Sequence, residues 1–214
     1  MRVVVATYNA GKLEELRELL PSGLRLVSLS DVGLESPDET GASFEENALI
    51  KARAAASAGD AAIADDSGLE VDALDGRPGV RSSRYAGDDA SDEDNNLRLL
   101  AELDGVADER RTARFVSAVA LVTRDGLEFT ARGSVEGRIG RVARGSGGFG
   151  YDPLLIVSDP DAVQFNGRTM AELSLDEKNQ ISHRARAYRS LLLRLSSEGF
   201  IFGMADASSG VTER

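Results

Sequence analysis

The sequence predicts an α/β fold: a mixed β-sheet with flanking helices, arranged as two lobes around a central cleft. Three observations lead there. The first half alternates short β-branched runs with helical leucine spacing, the middle carries two long strand patterns, and the last apolar stripe is helical. No repeat or long linker interrupts the 214 residues. We read 1–202 as one domain and 203–214, rich in Ser, Ala, Asp and Gly, as a flexible C-terminal tail.

Val3 to Ala6 is short, β-branched and ended by polar residues, the pattern of a buried strand. Leu13, Leu16, Leu19 and Leu20 follow at helical spacing until Pro21 and Gly23 stop them, and Leu24 to Leu29 suggests a second strand. Ser43-Phe44-Glu45-Glu46 reads as a capping box opening an Ala-rich helix that ends at Gly59. Ala61 to Ala64 is a short strand running into Asp65-Asp66-Ser67-Gly68. Ser91 caps a helix carrying Leu97, Leu100 and Leu103. Thr112–Thr123 and Leu127–Val135 flank Asp125-Gly126 as a hairpin, and Leu154–Val157 reads as a last strand. Tyr188, Leu191, Leu192 and Leu195 form the apolar stripe of the final helix.

Composition removes whole classes of chemistry. With no Cys, there are no disulfides, thiolate metal sites, iron–sulfur clusters or cysteine nucleophiles. One His excludes a multi-histidine metal site. A net charge of −11 opposes binding to nucleic acid or an anionic membrane. No targeting or membrane segment is visible, so a cytoplasmic location is expected. An anionic ligand would need a local cluster of cations.

Four polar junctions could supply one. Thr7-Tyr8-Asn9-Ala10-Gly11-Lys12 lies between a strand and a helix start, where backbone N–H groups and the helix dipole favour anions. It resembles a phosphate loop only in part: Ala6 stands for the first Gly and Leu13 for the metal-binding hydroxyl. It serves equally as a plain turn. Asp65-Asp66-Ser67-Gly68 puts two carboxylates after a buried strand, hard oxygen ligands suited to Mg²⁺, or is simply a turn. Adjacent residues of an extended chain point opposite ways, so one Asp would face the site. Glu39, Glu45 and Glu46 are possible co-ligands, and Asn47 and Lys51 share a helix face at i and i+4. The glycine-dense run 145–150 leads into Phe149-Gly150-Tyr151-Asp152, where an aromatic face could stack on a base. Lys178 precedes Ser182, the expected N-cap of the last helix, which places His183 and Arg184 in a first turn where cations oppose the dipole. A ligand opposite them would explain that placement.

Taken in order, these runs resemble the noncanonical purine nucleoside triphosphate pyrophosphatases, the inosine/xanthosine triphosphate pyrophosphatase family. The matching segments are Thr7-x-Asn9-x-Gly11-Lys12, Thr40-Gly41-x-Ser43-Phe44-x-Glu46-Asn47-Ala48, Ala64 to Leu69, Pro78-Gly79-Val80 with Arg84-Tyr85, Gly147 to Pro153, and Lys178 to Arg184. The resemblance implies an ITPase-like fold and Mg²⁺-dependent hydrolysis between the α- and β-phosphates of ITP, dITP or XTP, by a homodimer. It implies that Asp66 is the proton acceptor and a metal ligand, with Glu39 the second metal ligand. Thr7, Tyr8, Asn9, Ala10, Gly11 and Lys12 would cradle phosphate, and Ser67 would bind substrate. Phe149, Gly150, Tyr151, Asp152 and Lys178 would line the nucleotide site, and His183 and Arg184 would read the base. Lys51 would join Lys12 and Lys178 in offsetting pyrophosphate charge. A Maf-like pyrophosphatase and a non-catalytic nucleotide sensor are the alternatives.

Overall fold

The computed structural model describes residues 1–8, 13, 16, 17, 19–21 and 23–200. Six strands form one sheet in the order β2-β1-β3-β4-β5-β6. These are β1 (Arg2–Val5), β2 (Arg25–Ser28), β3 (Ala61–Val71), β4 (Thr112–Val122), β5 (Glu128–Ile139) and β6 (Leu155–Val157). The first three pair in parallel, and β3 through β6 are antiparallel. The two expected lobes therefore share a sheet, because β3 belongs to both ends of it.

The main helices are α1 (Leu29–Val32), α2 (Phe44–Ala56), α3 (Asp92–Glu102), α4 (Leu175–Ile181) and α5 (His183–Ser197). Small side chains let α2 lie close: Ala48 and Ala52 pack on Ala64, Ala120 and Val122. On the opposite face, Ala187, Tyr188, Leu191 and Leu195 of α5 meet Val119, Leu121 and Phe129, together with Leu16, Leu20, Val3 and Val5. Gly133 on β5 permits this approach, since a Cβ there would sit 2.3 Å from the Ala187 nitrogen and 2.4 Å from the His183 carbonyl oxygen. A further cluster under α3 holds Leu99, Leu103, Tyr85, Tyr151 and Leu154.

Several expectations need correction. Asp65-Asp66-Ser67-Gly68 is neither a turn nor a strand end: β3 continues through it to Val71, paired residue for residue with β4. The α2 cap is only half a capping box. The Ser43 hydroxyl accepts from the Glu46 N–H, but the Glu46 carboxylate reaches the N–H of Ala42 instead. In α3 the buried leucine is Leu99, joined by Leu103 at the C-cap, whereas Leu97 points outward. Residues 201–214, including the expected tail, lie outside the described residues.

Candidate functional site

The site is built around the middle of β3. β1 pairs only with Ala61 to Ile63, and its last contact is the Ala6 N–H donating to the Ile63 carbonyl. Further along, residues 78–84 close the same edge: the Leu69 N–H donates to Ser82 Oγ at 2.9 Å, and Pro78 bridges Glu70. Gly68 allows that closure, because a Cβ would lie 2.4 Å from Ser82 Oγ. Between these two contacts the edge has no strand partner among the described residues. The parity set by Ile63 and Leu69 aims the Ser67 peptide groups out of this gap.

Alternation then divides the chemistry. Asp66 faces α2, where Asn47 Nδ2 donates to its Oδ2 at 3.1 Å and Lys51 Nζ to its Oδ1 at 3.1 Å. Lys51 also reaches Glu39 Oε1 at 2.8 Å, and Arg84 stands 3.7 Å from the other Glu39 oxygen. Burial is the main influence on Asp66 and pushes its carboxyl above the ordinary value; Lys51 and Asn47 pull it down, and Glu39 adds to the push. Burial works against the Lys51 ammonium, yet Asp66 and Glu39 outweigh it and hold the proton on more firmly than usual.

Asp65 faces the other way, toward α5. Its Oδ2 accepts from Arg184 Nε at 3.3 Å, and both side chains are buried. The expected spacing argument holds, with Asp65 and Asp66 on opposite faces. The anion opposite Arg184 is a carboxylate of this chain. Ser182 caps α5 by accepting from the Ala185 N–H, and His183 stacks on Phe115 with ring centroids 5.2 Å apart.

On this second face lies a cavity of about 130 Å³ walled by Ser67, Gly68, Phe115, Phe149, Tyr151 and His183. Asp152 and Gly150 also reach it. Lys178 Nζ donates to Asp152 Oδ2 at 2.5 Å and stands 4.9 Å from the centre of the Phe149 ring. The Phe149 N–H donates to the same carboxylate oxygen.

The structure thus gathers Glu39, Lys51 and Asp66 at one side of the β3 edge and Ser67, Phe149, Gly150, Tyr151, Asp152, Lys178 and His183 at the other. Thr7 lies two residues beyond the end of β1, its N–H donating to the Val5 carbonyl. The Tyr8 hydroxyl is engaged within the chain: it donates to the Leu34 carbonyl and accepts from the Ser36 N–H, tying down that loop. Asn9, Ala10, Gly11 and Lys12 lie outside the described residues. Sequence reading missed Phe115, Ser82, Ser83 and Asp92, all of which line the cavity. Ser82 and Ser83 lie inside the matching segment 78–85 without having been singled out, and Phe115 and Asp92 sit in no recognisable motif.

The donor set suits a hard divalent cation. Glu39 and Asp66 converge on one ammonium, and among the described residues no group of three His, Cys, Asp or Glu comes together. Mg²⁺ commonly takes one or two protein carboxylates and completes its shell with water and phosphate.

Fold and site together define an α/β protein whose sheet edge joins an acid–lysine cluster to an aromatic cavity. The chain belongs to the Ham1 family, whose profile matches residues 3–193. It is 51% identical to the dITP/XTP pyrophosphatase of Symbiobacterium thermophilum, over 91% of this chain and 94% of that one. It is 49% identical to the dITP/XTP pyrophosphatase of Bacillus subtilis, over 88% and 93%. Among solved structures, the Ham1 protein of Staphylococcus aureus superposes with a TM-score of 0.82 at 40% identity, covering 93% of this chain and 99% of that one. The nucleoside-triphosphatase, dITP/XTP pyrophosphatase, of Mycobacterium abscessus gives 0.76 at 49% identity, covering 90% and 99%.

Proposed function

We propose that this chain is a nucleoside triphosphate pyrophosphohydrolase that converts ITP, dITP and XTP to the monophosphate and pyrophosphate, clearing deaminated purines from the nucleotide pool. One observation carries the reading: β3 presents a buried carboxylate, held by Asn47 and Lys51, on one face and a base-sized aromatic cavity on the other. A nucleotide laid across the open edge would meet phosphate chemistry first and base recognition second. Relatives of about half identity over nine-tenths of the chain bear the matching activity in their names.

We take the metal to be Mg²⁺, held by Asp66 and Glu39. When bound, it would polarise the phosphoryl oxygens and orient the attacking water. Asp66 accepts the proton of that water as it adds to the α-phosphorus and the bond to the β-phosphate oxygen breaks. Lys51 keeps Asp66 and Glu39 from repelling one another, and Lys178 offsets substrate charge. Phe149 offers its face to the base, and the Ser67 peptide groups anchor the substrate at the edge.

His183 reads the 6-position. Hypoxanthine and xanthine present an oxo acceptor where adenine presents an amino donor, and a buried polar group left unpaired costs about 1–3 kcal/mol, tenfold or more in selectivity. A cytoplasmic homodimer with no nucleic-acid or membrane partner completes the proposal, in keeping with the acidic net charge. No helix among the described residues is long and apolar enough to cross a membrane.

Pyrophosphate release from ITP, XTP, ATP and GTP, each with and without Mg²⁺, tests this directly. We expect release that needs Mg²⁺ and runs much faster with ITP and XTP. Equal rates with all four would remove the base-reading role, and tight binding without turnover would make the protein a sensor.

A further inference from the structure

Helix α3 grips the nucleotide loop from behind. Asp92 and Asn96, at i and i+4, share one helix face. The Gly150 N–H donates to Asp92 Oδ2 at 2.6 Å, and Asn96 Nδ2 donates to the Gly150 carbonyl at 3.0 Å. Both polar groups of one peptide residue are thus held by the first turns of one helix. Gly150 has φ +59°, and its missing Cβ would meet nothing within 4 Å, so backbone conformation rather than space calls for glycine there.

The neighbours of Gly150 are held from elsewhere. The Phe149 N–H is bound by Asp152, and the Tyr151 hydroxyl donates to the Ser82 carbonyl at 2.8 Å. Phe149 as a residue is 64% exposed, so packing holds it only weakly. Behind it, a groove of about 420 Å³ lined by Leu97, Leu100, Gly147 and Pro153 shares the wall made by Phe149 and Gly150. A released loop has room there. Asn96 Oδ1 is buried with no hydrogen-bond partner among the described residues. A buried orphan acceptor is a cost, and the bond from Nδ2 to Gly150 gives a reason to keep the amide.

We propose that Asp92 and Asn96 are positioning residues of the base subsite: they hold Gly150 so that Phe149 faces the cavity rather than the groove behind it. The proposal rests on the functional reading above, but half of its test does not. The chain contains no Trp, so Phe149→Trp in the full-length protein introduces a single indole whose anisotropy reports how firmly this position is held.

In the unmodified background, we expect Asp92→Ala and Asn96→Ala to raise KM for ITP about tenfold, as loss of one good hydrogen bond allows. Inhibition by pyrophosphate, which reports the phosphate side alone, should stay within about twofold. Asp92→Asn keeps an acceptor and should recover most of the loss. In the Phe149→Trp background, both alanine variants should lower the indole anisotropy of the ligand-free protein. Unchanged KM and anisotropy would overturn the proposal, as would KM and pyrophosphate inhibition weakening in step. If the parent protein releases no pyrophosphate from ITP, the functional reading fails, while the anisotropy comparison still decides whether Asp92 and Asn96 hold the loop.

Discussion

Asp66 is where the molecule concentrates its chemistry. It is buried, yet its two oxygens are divided between an amide and an ammonium. Asp66→Asn keeps the side chain's size and, in the proposed mechanism, removes the proton acceptor. We expect kcat for ITP to fall at least about a thousandfold, within the range general bases contribute, with an unchanged far-ultraviolet spectrum. A variant that stays within tenfold of the parent would move the base elsewhere. The sequence revealed much of this cluster: the alternation rule separates Asp65 from Asp66, and helical spacing joins Asn47 to Lys51. It could not reveal the Asp65–Arg184 pair, whose members are 119 residues apart. Asp92 was equally hidden, because nothing local distinguishes it from the other acids of a helix first turn.

Among the elements, β3 and α5 set the site's dimensions. A run of Asp-Asp-Ser-Gly carries strong turn propensity, and the structure overrides it because the long β-branched β4 supplies ladder partners along the whole length. That is why a strand continued where its local signal ended. The fit of α5 against β5 depends on Gly133, where a Cβ would collide with backbone atoms of both His183 and Ala187. Gly133→Ala should therefore cost about 1–3 kcal/mol of stability through overpacking and raise KM for ITP by shifting His183 off Phe115. Thermal melts and steady-state kinetics check both parts. An unchanged melting temperature would mean that α5 docks less tightly than these distances imply. Most helix and strand periodicities of this layer were legible, but β3 runs seven residues past its expected end at Ala64, and the helix Leu175–Ile181 was not anticipated.

At the scale of the whole molecule, the acidic chain does not simply collect free cations. Among the described residues, Lys51, Lys178 and Arg184 each sit against a carboxylate of the chain. Ion pairs elsewhere shape the response to acid. Arg168 first, then the Ser174 N–H, hold the Glu177 carboxyl down to about 2. Asp159, though buried, is held below its ordinary value by Arg186 and by the Glu136 and Asp161 N–H groups. A carboxyl depressed in the folded state adds stability that is complete above its unfolded value, near 4.5 for Glu177, and fades as pH falls toward the folded one. We expect the melting temperature to drop between about pH 5 and 3, and Glu177→Gln to flatten that decline. An identical slope in the variant would assign the acid limb to other groups.

The open stretch of the β3 edge has a consequence for descent as well as for chemistry. In the proposed reading, Asp66 leaves β3 toward α2, whereas Phe149 and His183 reach the opposite face from a loop and from α5, so the hydrolytic and base-contacting sets share no residue. A lineage could rewrite which base it accepts by altering the aromatic side while the cleavage apparatus, anchored on another helix, stays as it was.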